Sequence, residues 1–176
     1  MTVHLRPPIS EREARSLRAG TKVLITGVLY TARDMAHRRM AEAMLKGEPL
    51  PLDLEGQILY YVGPTPPRPG CVIGSAGPTT SYRMDPYTPK LLALGLRGTM
   101  GKGERGDEVV EALQRYGAVY LAAVGGAGAF LAQHIKRAEL VAYPDLGPEA
   151  IYRLYVEKFP AVVAQDSHGG NIYRNA

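Results

Sequence analysis

Gly74-Ser75-Ala76-Gly77-Pro78-Thr79-Thr80-Ser81-Tyr82-Arg83-Met84-Asp85 is a loop-forming stretch with unusual chemical content. Its glycines carry no Cβ, so successive backbone N–H groups can turn inward and make a concavity suited to an anion. Thr79, Thr80 and Ser81 add short neutral donors, and Arg83 adds a planar fork that meets a carboxylate or phosphate at two points. The apolar run Cys71-Val72-Ile73 predicts a strand end that delivers the loop. Composition alone is equally satisfied by a surface turn of small residues, so the flanking chain has to decide.

Upstream, Gly63 to Gly70 holds four prolines and predicts a stiff non-helical connector. It follows Ile58-Leu59-Tyr60-Tyr61-Val62, an apolar strand signal. Arg33 to Lys46 predicts a helix with Met35/Ala36, Met40, Ala43 and Met44 on one side and Gly47 as its stop. Lys22 to Tyr30 is β-branched and predicts a strand, with Gly27 marking a bulge or close approach. Ser10 and Glu13 form a capping-box pattern, which places a short helix ending near Gly20.

Downstream, Pro86 predicts the start of a short helix over 86–95. Thr99 to Gly103 reads as a second glycine-flanked cationic turn, Asp107 to Tyr116 as an amphipathic helix, and Ala118 to Val124 as a buried strand. Gly125-Gly126-Ala127-Gly128-Ala129 opens a helix expected to reach about Arg137. Leu140 to Tyr143 predicts a strand, 148–158 a helix, and Ala161 to Gln165 a last strand. Alternating strands and helices imply a single α/β domain over 1–176, a mixed sheet with flanking helices. In such folds ligands sit in the turns that follow strands.

Composition narrows the function classes. At 176 residues, 45% hydrophobic and 22% charged, the chain is expected to be a globular, cytoplasmic protein. No run reaches the ~20 apolar residues of a membrane helix, and the first residues lack a signal-peptide core. Cys71 is the single cysteine, which rules out an internal disulfide, and it is expected to be a small buried apolar residue. The formal charge of +4 is scattered among acids rather than gathered in a patch, which argues against nucleic-acid binding. A cationic pocket for a small multiply charged acid explains the excess equally well.

Four sites of cationic or hydroxylic side chains recur in the predicted turns: Arg33, Thr79/Thr80, Arg83 and Lys102. Arg33 alone also reads as a solvated residue, and Lys102 between glycines also suits an ordinary turn. Asp34 and His37 share a helix face, but two ligands do not make a metal site. The Gly125–Gly128 turn lacks the G-x-G-x-x-G spacing and the P-loop lysine, so close helix–strand packing explains it better than nucleotide binding. His134 suits a core boundary, and Asp166-Ser167-His168 is adjacent in sequence rather than arranged as a nucleophilic triad.

Thr31-Ala32-Arg33-Asp34-Met35-Ala36-His37, Gly63-Pro64-Thr65-Pro66, the Gly74–Asp85 stretch, Gly101-Lys102-Gly103 and Gly125-Gly126 occur in this order. In them the chain resembles the beta subunit, or C-terminal domain, of the iron–sulfur-dependent class I fumarases and L-tartrate dehydratases, over nearly its whole length. The resemblance implies a swivelling β/β/α domain that closes over a site shared with an alpha subunit. That partner would hold a [4Fe–4S] cluster whose iron acts as Lewis acid on the departing hydroxide; one cysteine cannot hold such a cluster.

The resemblance further implies Thr79 as candidate base, Arg33, Arg83 and Lys102 as holders of the substrate carboxylates, and Thr80 and Ser81 as shapers of the loop. Proton abstraction beside a carboxylate builds negative charge, so fixed cations favour the transition state over the ground state. A threonine hydroxyl is a poor base at neutral pH unless cations or a relay lower its pKa. The expected function is fumarate hydration to malate in a hetero-oligomer, with tartrate dehydration second and a non-catalytic anion-binding module third.

Overall fold

A computed structural model of the chain describes residues 1–123 and 128–174. Among the described residues seven strands and five α-helices follow in chain order: β1 (Thr2–Leu5), α1 (Glu11–Ser16), β2 (Lys22–Thr31), α2 (Asp34–Leu45), β3 (Ile58–Tyr60), α3 (Thr88–Ala93), β4 (Gly98–Gly101), α4 (Asp107–Tyr116), β5 (Val119–Ala122), α5 (Gly128–Ala132), β6 (Ile135–Ala142) and β7 (Ile151–Gln165). Strands β1 to β5 lie parallel in sequence order. β7 runs antiparallel to β5 and also to β2, so the pairings β2-β3-β4-β5-β7 return to β2 and close a small barrel. β6 pairs with β7 outside that ring. The fold class is α/β, a mixed sheet with flanking helices.

Alternation along the strands feeds two cores. On β3, Ile58 and Tyr60 join an inner cluster with Ile25, Leu29, Met100, Leu121, Leu154 and Phe159. Their neighbours Leu59 and Tyr61 face the helices, packing with Ala36, Met40, Leu92, Val109, Leu113 and Tyr120. A strand covered on both faces reads as a continuous apolar run, which is how 58–62 reads. Gly27 sits at a register shift of β2 against β7, with φ 127°, as its place in the strand suggested. The Ser10–Glu13 capping box is formed, with Glu13 N–H donating to Ser10 Oγ at 3.0 Å, although α1 stops at Ser16, short of Gly20.

Several elements differ from expectation. Residues 148–158 are not a helix; from Ile151 they form the long strand β7. Ile151 and Leu154 imitate helical spacing, but Tyr152, Tyr155, Val156 and Phe159 favour a pleated surface, and pairing with β2, β5 and β6 satisfies the backbone. The helix opening at Gly128 ends at Ala132, and 135–142 is β6, laid against β7. Thr99 to Gly101 belongs to β4 rather than to a turn. α3 starts at Thr88 with Pro89 in its first turn, not at Pro86. β1 was not foreseen.

Residues 71–73 form no strand, and Cys71 is exposed rather than buried. The loop instead closes on itself: Thr65 N–H donates to the Ser75 carbonyl and Gly74 N–H to the Thr65 carbonyl, both at 3.1 Å. The prolines and Gly70 between these points cannot sustain a ladder.

Candidate functional site

Arg33 and Lys102 follow the carboxyl ends of β2 and β4, and the 79–85 segment is inserted beside them. After β3 the chain leaves through Gly63, loops out, and returns at Thr79. There Thr79 N–H donates to the Tyr61 carbonyl at 2.8 Å, Lys102 N–H to the Thr79 carbonyl at 3.2 Å, and Ser81 N–H to the Lys102 carbonyl at 2.9 Å. Thr80 and Lys102 thus form a parallel bridge that prolongs β4. Thr79 and Thr80 are half-buried and Lys102 is exposed.

Arg33 is the N-cap of α2 in extended backbone, and Asp34 opens the helix, where its charge meets the positive end of the helix dipole. Arg83 approaches both oxygens of Asp34, Nε to Oδ1 and Nη2 to Oδ2 at 3.2 Å each. Arg33 Nε lies 4.0 Å from Oδ2 of the same carboxylate and has no hydrogen-bond partner among the described residues. Gly63 makes room for this guanidinium: a Cβ there would stand 2.8 Å from Arg33 Nη1. Asp34 therefore gathers Arg33 and Arg83, while Thr79, Thr80 and Lys102 are gathered by backbone pairing. Lys102 forms no ion pair among the described residues.

His37, one turn into α2, lies beneath this group with its Nδ1 2.8 Å from the Arg33 carbonyl. A carbonyl only accepts, so Nδ1 carries the proton and Nε2 is left as a buried acceptor without a partner among the described residues. The ring packs against Tyr61 and Tyr87, with centroids 5.4 and 5.7 Å away. Burial lowers its pKa to about 4. Between that value and the ordinary 6.5 the unfolded chain binds the proton and the folded chain does not, so stability falls as pH falls. Roughly 2 kcal/mol is expected to be lost between pH 7 and pH 5. Urea unfolding across that range checks it: His37→Asn should flatten the slope by this amount, and an unchanged slope assigns the loss to other groups.

Sequence reasoning missed Arg105, because a lone arginine after a turn carries no signal of burial. Its side chain is fully buried, with Nε 2.6 Å from Asp85 Oδ1, Nη1 2.9 Å from Thr99 Oγ1 and Nη2 2.8 Å from Thr88 Oγ1. Tyr120 was also missed. Its hydroxyl lies 2.6 Å from the Gly103 carbonyl and 2.8 Å from Ser81 Oγ. The single phenolic proton goes to the carbonyl, which only accepts, and Ser81 supplies the proton of the second bond.

A cavity of about 600 Å³ opens elsewhere, between the 65–75 loop and α5/β6, with Arg68, Gln133 and Lys136 among its walls and none of the five candidate residues. Of the candidate residues Arg83 and Lys102 are exposed, and Arg33, Thr79 and Thr80 are half-buried. Asp166 closes a C-terminal turn by accepting from Ala19, His168 and Gly170 N–H groups at 2.8 Å each, which is a structural role. His134 is half-buried, with Nδ1 3.0 Å from the Glu157 carbonyl. Gly125 and Gly126 lie outside the described residues.

Among the described residues no three His, Cys, Asp or Glu side chains are placed to hold a metal ion. One exposed thiol cannot replace the several thiolates of an iron–sulfur cluster, so the donor set of this chain does not fit one. No described helix is long and apolar enough to cross a membrane.

Fold and cluster together define an α/β domain with a cationic, hydroxyl-rich surface at the carboxyl ends of parallel strands. The chain belongs to the fumarase C-terminus family, whose model matches residues 1–176. It is 39% identical to the aerobic class I fumarate hydratase of Salmonella typhimurium, over 98% of this chain and 30% of that protein. It is 38% identical to fumarate hydratase 2 of Leishmania major, over 97% of this chain and 31% of the relative. The chain thus spans about a third of the length of these fumarate hydratases. A Methanocaldococcus jannaschii protein, provisionally assigned as L(+)-tartrate dehydratase subunit beta, is 40% identical over 94% of this chain and 88% of its own length.

Proposed function

We propose that the chain is the beta subunit of a fumarate hydratase, a hydro-lyase that interconverts fumarate and L-malate with an alpha subunit. The observation that carries this reading is the union of Arg33 and Arg83 around Asp34, next to the Thr79–Lys102 pairing, in a member of this family. Arg33, Arg83 and Lys102 hold the two carboxylates of the diacid, whose charge they match. Thr79 carries the proton to or from carbon through its Oγ1, its acidity raised by these cations. Thr80 and Ser81 keep that hydroxyl in place through their backbone pairing with Lys102. The [4Fe–4S] cluster and the C–O bond chemistry belong to the partner, since this chain lacks the ligands. In this reading the isolated chain is inactive and works in the cytoplasm.

Tartrate dehydration to oxaloacetate is the second reading, favoured by the match to nearly the full length of a separate beta subunit. One hydroxyl separates the substrates, and a few pocket contacts decide between them. Anaerobic co-expression with a partner bearing three cysteines, followed by assays on fumarate, malate and tartrate, tests both. A stable complex that turns over one diacid is expected. A chain that forms no complex and shows no turnover leaves only the non-catalytic anion-binding module.

A further inference from the structure

We infer that Arg105 is a positioning residue, which through Asp85 and its own backbone fixes the two segments that carry Thr79, Arg83 and Lys102. This rests on the function proposed above. Asp85 lies two residues after Arg83, and Arg105 three after Lys102. Beyond its bonds to Asp85, Thr99 and Thr88, the guanidinium lies 5.1 Å from the ring centres of both Tyr61 and Tyr120. The backbone completes the clasp: Gly106 N–H donates to Asp85 Oδ2 at 2.7 Å, and Arg105 N–H to Gln165 Oε1 at 2.8 Å. The end of the 79–85 segment, the start of α3 and β4 thus converge on one side chain, and β7 is tied to the backbone of the same residue.

Arg105 is fully buried, out of reach of a ligand at the surface, so it acts only through what it holds. Stability alone is a poor reason for such a group. An apolar pair of similar volume commonly replaces a buried ion pair without loss, whereas removing one partner strands a charge. What an apolar pair cannot reproduce is direction. The planar fork meets Asp85, Thr88 and Thr99 at once, and its orientation sets where the polypeptide leaves Asp85 towards Arg83.

The double variant Asp85→Leu/Arg105→Met separates placement from stability. In the assembled enzyme we expect a wild-type unfolding midpoint, KM within about threefold, and kcat lowered by about 30-fold or more, since misplacement by 1 Å costs up to 10²-fold. In the isolated chain the amides of Ser81, Asp85 and Gly106 should exchange at least about tenfold faster, with those of β2 unchanged. A stable double variant with wild-type kcat and exchange overturns the inference. If the double variant does not fold, Arg105→Lys retains the buried charge without the fork. Faster exchange at the three amides then supports the inference, and unchanged exchange overturns it. A wild-type complex inactive on every diacid sinks the proposed function instead, while the exchange measurement still decides whether Arg105 fixes the segment.

Discussion

Replacing Arg83 with Ala is expected to lower kcat of the assembled enzyme by about 10²-fold or more, with a smaller change in KM. Losing one fixed donor to developing charge costs about 10²–10³-fold in comparable sites. Two roles for Arg83 make different forecasts. It pairs with Asp34 at 3.2 Å, and both side chains are more than a third exposed. If that pairing were its whole task, the variant would lose a surface ion pair, worth 0 to about 1 kcal/mol, and turnover would not change. If it grips a carboxylate whose charge grows in the transition state, kcat and kcat/KM fall together. Arg83→Lys keeps the charge without the fork and should fall between the two. A rate within twofold of wild type for Arg83→Ala removes this side chain from the site. Steady-state kinetics on the intact complex, beside thermal unfolding of each variant, make the distinction.

Local rules were legible in the sequence wherever neighbours along the chain decide conformation. The Ser10–Glu13 box, the Gly27 irregularity and the full extent of α4 from Asp107 to Tyr116 are such cases. Long-range pairing was not legible. β7 reaches back to β2 across more than a hundred residues, and its Ile151/Leu154 spacing suits a helix until that partner is supplied. The site divides in the same way. Glycine, hydroxyl and arginine content marked the 79–85 loop, and order along the chain tied it to Arg33 and Lys102. The supports that aim the loop, Arg105 and Tyr120, look like any arginine and any strand tyrosine, because their burial follows from a packing that no local pattern encodes.

Gly101→Ala should then do damage out of proportion to one methyl group. Gly101 ends β4 at the point where the returning 79–81 segment crosses. A Cβ there would overlap Ser81 Oγ and stand 3.0 Å from both the Thr79 carbonyl and the Tyr61 ring. Ser81 has little freedom to turn away, since its Oγ is bonded to buried Tyr120. The Thr79 carbonyl accepts from Lys102 and belongs to backbone, so it gives only if the whole segment shifts. Overpacking of this kind costs about 1–3 kcal/mol of stability. The same shift moves the Thr79 hydroxyl relative to Lys102, and a displacement near 1 Å is enough for roughly 10²-fold in rate. Adding Ser81→Gly relieves the hydroxyl overlap but not the carbonyl contact, so stability should recover in part while the rate stays low. A Gly101→Ala enzyme with wild-type kcat and melting temperature would show that the strand end and the loop are not in the tight register on which the placement of Thr79 and Lys102 depends.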